Sequence, residues 1–122
     1  MGMERTMDIT EQKIGDIVVL RLDGRLDGAT SRALAAQAIR SLGEGGRALL
    51  LDLERLTYLT SEGFRALLHT RKAATATRSK LALCGLNGFA LELFGISGLK
   101  EQFAAYPTRQ DALAALAGES AP

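Results

Sequence analysis

A serine with polar neighbours stands at a predicted strand-to-helix junction. Ser61 follows Thr60 and precedes Glu62 and Gly63, where apolar residues take up helical spacing. A serine at the start of a helix is exposed, can cap free backbone N–H groups, and can carry a phosphate beside a favourable dipole. Thr60 can equally be the cap, and Glu62 can serve only to stabilise the first helical turn. These residues alone leave open whether Ser61 is a phosphoacceptor or a simple cap.

The other residues that can do chemistry are scattered. His69 is the only histidine, so there is no second one for a metal site or a Ser–His relay. Asp27 and Asp52 stand near the ends of predicted strands, with no base or oxyanion hole to accompany them. The sequence has neither a GxxxxGK[ST] loop nor a GxGxxG motif after a strand. We therefore predict a protein that is not an enzyme, with no catalytic residue, metal or cofactor.

The composition is that of an ordinary globular domain. Its 122 residues are 47% hydrophobic and 24% charged, with 15 Lys and Arg against 14 Asp and Glu. This balance gives no reason to expect nucleic acid or a membrane as a partner. No apolar run approaches the roughly 18 to 20 residues that span a bilayer, and no signal peptide is visible, so we expect a cytoplasmic protein. Cys84 lies in an apolar run and is expected to be a buried thiol.

Strand and helix patterns alternate along the chain and position these residues. Strands are predicted near residues 8–12, 17–22, 48–53, 81–84 and 102–106, and helices near residues 30–42, 61–75, 89–94 and from 108 onward. The order ββαβαβαβα predicts one α/β domain with a mixed, mostly parallel sheet of about four to five strands and about four helices. We place the domain at residues 8–117, with flexible tails at 1–7 and 118–122.

The second predicted helix has a polar face formed by Glu62, Arg65, His69 and Lys72. A charged helix face is ordinarily solvated. The helical spacing of Arg65, His69 and Lys72 would also suit an acidic groove on a partner. Both interpretations remain open at this point.

Two segments resemble the signature of the STAS domain family. Residues 22–30 read Leu-Asp-Gly-Arg-Leu-Asp-Gly-Ala-Thr and are similar to the family's L-x-G-x-L-D-x-x-T segment. Residues 50–53 and 58–64, which read Leu-Leu-Asp-Leu and Tyr-Leu-Thr-Ser-Glu-Gly-Phe, resemble the family's D-L-x-x-V-x-x-I-D-S-S-G-L segment. The resemblance extends over roughly Asp8 to Leu116 with the same order of elements. It is closest to the anti-sigma factor antagonists of this family.

The resemblance implies a protein-binding switch. Ser61 matches the phosphoacceptor serine of these antagonists, with Thr60 as the second choice. The partner implied is an anti-sigma factor that is also an ATP-using serine kinase, which the unphosphorylated antagonist holds so that a sigma factor goes free. Partner-binding residues are predicted at Asp27, Thr60, Ser61, Glu62, Gly63 and Arg65.

This chain departs from the family pattern on both sides of Ser61. Thr60 replaces an aspartate, and Glu62 replaces a serine and would repel a phosphate on Ser61. Phosphorylation that is slow, redirected to Thr60 or absent therefore remains open. One alternative function is a STAS subunit of an ABC-type membrane transport complex, which binds its ATPase subunit without being phosphorylated. Another is a small enzyme that uses Asp27 and Ser61.

Overall fold

A five-stranded sheet with helices on both faces organises the chain. The computed structural model describes residues 7–43, 47–88, 91–92, 95 and 102–119. In chain order the elements are β1 (Met7–Ile14), β2 (Ile17–Leu26), α1 (Ser31–Gly43), β3 (Ala48–Leu59), α2 (Ser61–Ala76), β4 (Lys80–Cys84), β5 (Ala104–Tyr106) and α3 (Arg109–Glu119).

The strands lie in the sheet in the order β1-β2-β3-β4-β5. β1 and β2 form an antiparallel hairpin, and the other neighbours pair in parallel. The hairpin turn is tight, and Gly15 takes a left-handed φ of 62° that a side chain would disfavour. Parallel neighbours require crossovers, and α1 supplies the one between β2 and β3 and α2 the one between β3 and β4. The mixed, mostly parallel α/β sheet predicted from the sequence is confirmed.

Alternation along the strands divides the core between the two faces of the sheet. One face packs against α1 and α2, and its buried strand residues include Val18, Leu20, Leu22, Leu49, Leu51, Leu53 and Leu83. The opposite face packs against α3, and its buried strand residues are Ile17, Val19, Ala48, Leu50, Ala82 and Cys84. Because both faces of β3 are covered, residues 48–51 are apolar without interruption.

β2 and β3 continue beyond the part of the sheet that they share with β4. The last β3–β4 pair joins Asp52 to Cys84, whereas β2 and β3 stay paired as far as Leu26 and Leu59. This two-stranded extension carries the ends of both strands to the starts of the segments that lead into α1 and α2. It therefore fixes where the residues around Ser61 lie.

The sequence prediction ended these two strands too early, at residues 22 and 53. The extension has two register shifts, and its buried β3 residues Leu53, Leu56 and Leu59 recur every third position. Register shifts of this kind are β-bulges. They turn side chains in a new direction and interrupt the strand pattern in which every second residue is buried. A pattern search for alternation therefore stops at the point where the bulges begin.

The element bounds otherwise agree with the prediction to within one or two residues. β1 begins at Met7 and α3 continues to Glu119, slightly outside the predicted domain limits of 8 and 117. The Thr108 hydroxyl accepts the Asp111 N–H at 3.1 Å, so the predicted start of the last helix is confirmed. The helix predicted on Phe89, Ala90, Leu93 and Phe94 lies outside the described residues.

A glycine lets the first turn of α2 approach the end of β2. The Thr60 N–H donates to the Leu26 carbonyl oxygen at 3.1 Å. A methyl group on Gly63 would lie 2.4 Å from that same oxygen and 2.9 Å from Leu59 Cδ1. The obstructing atom is backbone and cannot swing aside as a side chain can. Only a residue without Cβ therefore fits at this position.

Gly63→Ala should lower the free energy of unfolding by about 1–3 kcal/mol, because the added methyl must push α2 away from β2. Urea unfolding followed by circular dichroism measures this. The control is Gly43→Ala at the end of α1, where a new Cβ meets no atom within 4 Å. That variant should be at least as stable as the parent, since alanine favours the helix. Equal stability of the two variants would show that the close approach is absent.

Candidate functional site

The ends of β2 and β3 bring two loops together at one edge of the sheet. Leu26 at the end of β2 pairs with Leu59 at the end of β3. The turn before α1 follows Leu26, and α2 begins shortly after Leu59. Carboxyl ends of parallel neighbours meet at the same edge. Asp27 and the residues after Leu59 therefore stand side by side.

Thr60 is the residue that caps α2. Its backbone is extended, with φ of −106° and ψ of 177°, and its side-chain oxygen accepts the Gly63 N–H at 3.2 Å. Its carbonyl oxygen accepts the Phe64 N–H at 2.9 Å. This decides between the two possible caps, because Ser61 is already the first residue inside the helix. The Ser61 side chain is exposed there.

Asp27 organises the turn between β2 and α1. Its Oδ1 accepts the N–H groups of Ala29 at 3.0 Å and Thr30 at 3.2 Å, while the Asp27 N–H donates to the Thr30 hydroxyl at 3.0 Å. Its Oδ2 lies 3.4 Å from Arg25 Nε. Desolvation alone would raise the pKa of Asp27, but the hydrogen bonds from Thr30, Ala29 and Arg25 together hold that pKa below its ordinary value.

The Glu62 side chain of α2 packs against the turn before α1. Its Cγ lies 3.7 Å from the position that a Cβ on Gly28 would occupy, so the Glu62 stem covers Gly28. An open groove of about 380 Å³ begins here and runs between α1 and α2, with a lining that includes Gly28, Arg32, Ala35, Glu62, Arg65 and His69. We refer to it as the α1–α2 groove. Glu62, Arg65 and His69 thus share one surface.

Asp52 lies apart from this edge. It is buried on the α3 side of the sheet, where Arg109 Nε and Nη2 both approach its Oδ2 at 3.0 Å. Burial, together with the neighbouring Asp52 carboxylate, raises the pKa of the Cys84 thiol to about 12. The pair and the thiol lie on the α3 side of the core, and the prediction that Cys84 is a buried thiol is confirmed.

One feature of the site has no signal in the sequence. The Arg25 guanidinium lies 4.2 Å from the centre of the Tyr58 ring, a cation–π contact on the surface of the β2–β3 extension. The two residues are partners in the strand register only after the bulges have shifted it. A search for motifs could not have paired them, because the pairing depends on those bulges.

The described residues restrict the chemistry that this edge can perform. Within the described ranges, no group of three His, Cys, Asp or Glu side chains comes together to hold a metal ion. Among the helices that the structure describes, none is long and apolar enough to cross a membrane. This edge presents the exposed Ser61 hydroxyl on the first turn of α2. Beside it lie Thr60, which caps the helix, and the ordered turn that contains Asp27. Such a hydroxyl can accept a phosphate without breaking the cap.

Asp27→Asn should destabilise the protein at neutral pH and lose that effect in acid. Because the folded-state pKa is lowered, the charged carboxylate stabilises the fold above its unfolded pKa of about 3.9, and this stabilisation disappears as pH falls through the folded pKa. Urea midpoints of parent and variant should therefore differ at pH 7 and converge as pH falls below about 4.

The control is Asp16→Asn, whose exposed carboxylate lies 3.6 Å from Arg47 Nε. Exposed pairs contribute little, so this change should shift the midpoint little at either pH. A gap between the parent and Asp27→Asn that persists unchanged into acid would show that the Asp27 charge does not stabilise the turn.

Comparison with known proteins places this site in a family. The family profile described as STAS domain matches residues 8–112. The Bordetella bronchiseptica protein BtrV, which is named as an anti-sigma factor antagonist, is 33% identical over 109 residues. That match covers 89% of this chain and 94% of BtrV.

Solved structures show the same fold at lower identity. An anti-sigma factor antagonist from Mycobacterium paratuberculosis is 22% identical and superposes with a TM-score of 0.83, covering 91% of this chain and 94% of its own. Unphosphorylated SpoIIAA is 21% identical and superposes with a TM-score of 0.78, covering 91% of this chain and 97% of SpoIIAA. The phosphorylated form of Bacillus SpoIIAA has a TM-score of 0.68 at 21% identity, covering 87% and 96%. The profile match and the BtrV match confirm the resemblance in the two sequence segments, and the chain belongs to the STAS domain family.

Proposed function

We propose that this chain is an anti-sigma factor antagonist that binds an anti-sigma factor with serine kinase activity and is released when Ser61 is phosphorylated. The observation that carries the proposal is the exposed Ser61 hydroxyl on the first turn of α2, beside a threonine that already caps the helix. BtrV, the Mycobacterium paratuberculosis protein and SpoIIAA are each named as an anti-sigma factor antagonist, and these names support the same class of function.

The capping arrangement favours Ser61 over Thr60 as the phosphoacceptor. The Thr60 oxygen accepts the Gly63 N–H, and its residue is only partly exposed. A phosphate on that oxygen would have to be accommodated within the cap and would disturb the start of α2. A phosphate on Ser61 leaves the cap intact. The departure from the family aspartate at position 60 is therefore compatible with a switch at Ser61.

Glu62 does not stand against phosphorylation of Ser61. Consecutive helical residues point in different directions, so the two side chains do not face each other. The Glu62 stem is also packed against Gly28 at the mouth of the α1–α2 groove. The added phosphate carries about 1.5 to 2 negative charges and lies at the positive end of the α2 dipole, which favours it.

Loss of binding then follows from the position of the charge. Asp27, Glu62 and Arg65 surround the start of α2, and a partner docked on this edge would cover Ser61. A dianion inside that contact must be desolvated when the partner binds, so the complex separates while the domain stays folded. SpoIIAA has the same fold in its phosphorylated form, which supports a domain that stays folded when it carries a phosphate.

Ser61→Asp should weaken binding to the serine-kinase anti-sigma factor by roughly tenfold or more, because it places a permanent negative charge in the contact. Ser61→Ala should bind like the parent and take up no phosphate from ATP. The partner is recovered by affinity pulldown from the native cell, and binding is then measured by calorimetry. Peptide mass spectrometry of the chain locates the phosphate.

The control for the modified position is Thr60→Ser, which keeps a hydroxyl cap and should be phosphorylated at Ser61 like the parent. Phosphate on residue 60, or unchanged affinity in Ser61→Asp, would overturn the proposed switch. Recovery of a transporter ATPase and permease with an unmodified Thr60–Ser61 peptide would identify a transport subunit instead.

A further inference from the structure

The α1–α2 groove continues along α2 and is bordered by cations. A second depression of about 300 Å³ adjoins it and shares Arg65 and His69 with it, adding Arg71 and Lys72. With Arg32 on α1, four exposed cations border these two adjoining depressions. Glu62 is the only carboxylate that lines either depression among the residues described.

Within the part of the chain that the structure describes, none of Arg32, Arg65, Arg71 and Lys72 forms an ion pair. Four cations and one carboxylate therefore line these depressions among the residues described, whereas the whole chain has a formal net charge of only +1. A local excess of this kind produces a positive potential that attracts an acidic surface and speeds its association.

The floor of the groove is apolar and shallow. It is lined by the small residues Gly28, Ala35 and Ala66, which allow a close approach between helices. Ile39 lies one helical turn beyond Ala35 on the same face of α1, and 58% of its surface is exposed. Arg32 on α1 and Arg65 on α2 line the groove together with this apolar floor. This arrangement matches a helix that has acidic residues on both sides of an apolar stripe.

We propose that the α1–α2 groove binds an acidic amphipathic helix of the anti-sigma factor. This inference rests on the proposed function, and it adds a contact that begins beside Ser61 and follows α2 away from it. Arg65 connects the two, because Ser61 and Arg65 are four residues apart on one helix and therefore neighbours on its surface. A phosphate on Ser61 would pair with the Arg65 guanidinium and remove it from the acidic helix.

The test compares two double variants of equal charge. Arg65→Glu with Lys72→Glu reverses two of the positive charges along the groove. Arg47→Glu with Arg78→Glu makes the same change in net charge at a separate depression, which no residue of α1 or α2 lines. All four side chains are exposed, so both variants should fold. Affinity for the anti-sigma factor recovered with the parent chain is measured by calorimetry at low and high salt.

The groove variant should bind roughly tenfold or more weakly, with a smaller dependence on salt, and the control should stay within about twofold of the parent. Equal losses in the two variants, or none in either, would overturn the groove as the contact. If Ser61→Asp releases the partner but the groove variant binds normally, the switch stands and only the groove fails. If the parent binds no anti-sigma factor, the proposed function itself fails.

A crosslinking measurement locates the acidic helix directly. A zero-length carbodiimide reagent joins lysine amines to carboxylates in contact with them, and Lys72 is the lysine that borders the groove. In the complex, Lys72 should be joined to an Asp or Glu within a helical segment of the anti-sigma factor. Lys13, an exposed residue of β1, should remain unlinked. Crosslinks at Lys13 with none at Lys72 would contradict the proposal.

Discussion

The contact between the Leu26 carbonyl oxygen and the first turn of α2 determines the rest of the site. That oxygen accepts the Thr60 N–H and lies 2.4 Å from the position that a Cβ on Gly63 would occupy. One backbone group therefore holds the end of β2, the end of β3 and the start of α2 together. The turn that contains Asp27 follows Leu26 directly, so the same contact sets its distance from Ser61.

This constraint separates the tasks of neighbouring residues. Thr60 satisfies a free N–H at the helix start, Gly63 permits the close approach, and Asp27 orders the turn before α1. None of these tasks falls to Ser61, whose hydroxyl stays exposed. In the proposed switch, the structural tasks and the change of charge therefore fall to different side chains, and a change in the charge of Ser61 need not disturb the fold. The cations along α1 and α2 extend the same surface toward a larger contact.

Much of the fold was predictable because alternation and helical spacing are local properties. The apolar run around Leu49 predicted β3, and the apolar spacing after Ser61 predicted α2. The extension of β2 and β3 was missed, because its bulges place buried residues such as Leu56 and Leu59 at intervals of three. The sequence also left the cap of α2 open between Thr60 and Ser61, since both residue types can accept the same N–H.

The site was predictable where a motif is contiguous and not where it depends on tertiary contacts. Asp27 and residues 60–63 stand in segments that resemble the family signature, and the structure places them at one edge. The helical spacing of Arg65, His69 and Lys72 placed them on one face of α2, but Arg32 joins them only through the packing of α1 against α2. The stacking of Arg25 on Tyr58 depends on register shifts that no local pattern reveals.

In the proposed switch, a charge on Ser61 acts on binding and leaves the capped helix intact. The decisive measurement is backbone NMR of the chain before and after phosphorylation by the proposed serine kinase, because 13Cα shifts report the conformation of each residue in the first turn of α2. We expect residues 61–64 to keep helical shifts and the Gly63 N–H to stay hydrogen-bonded. Loss of helical shifts across that turn would contradict it, since release of the partner would then result from unfolding of α2.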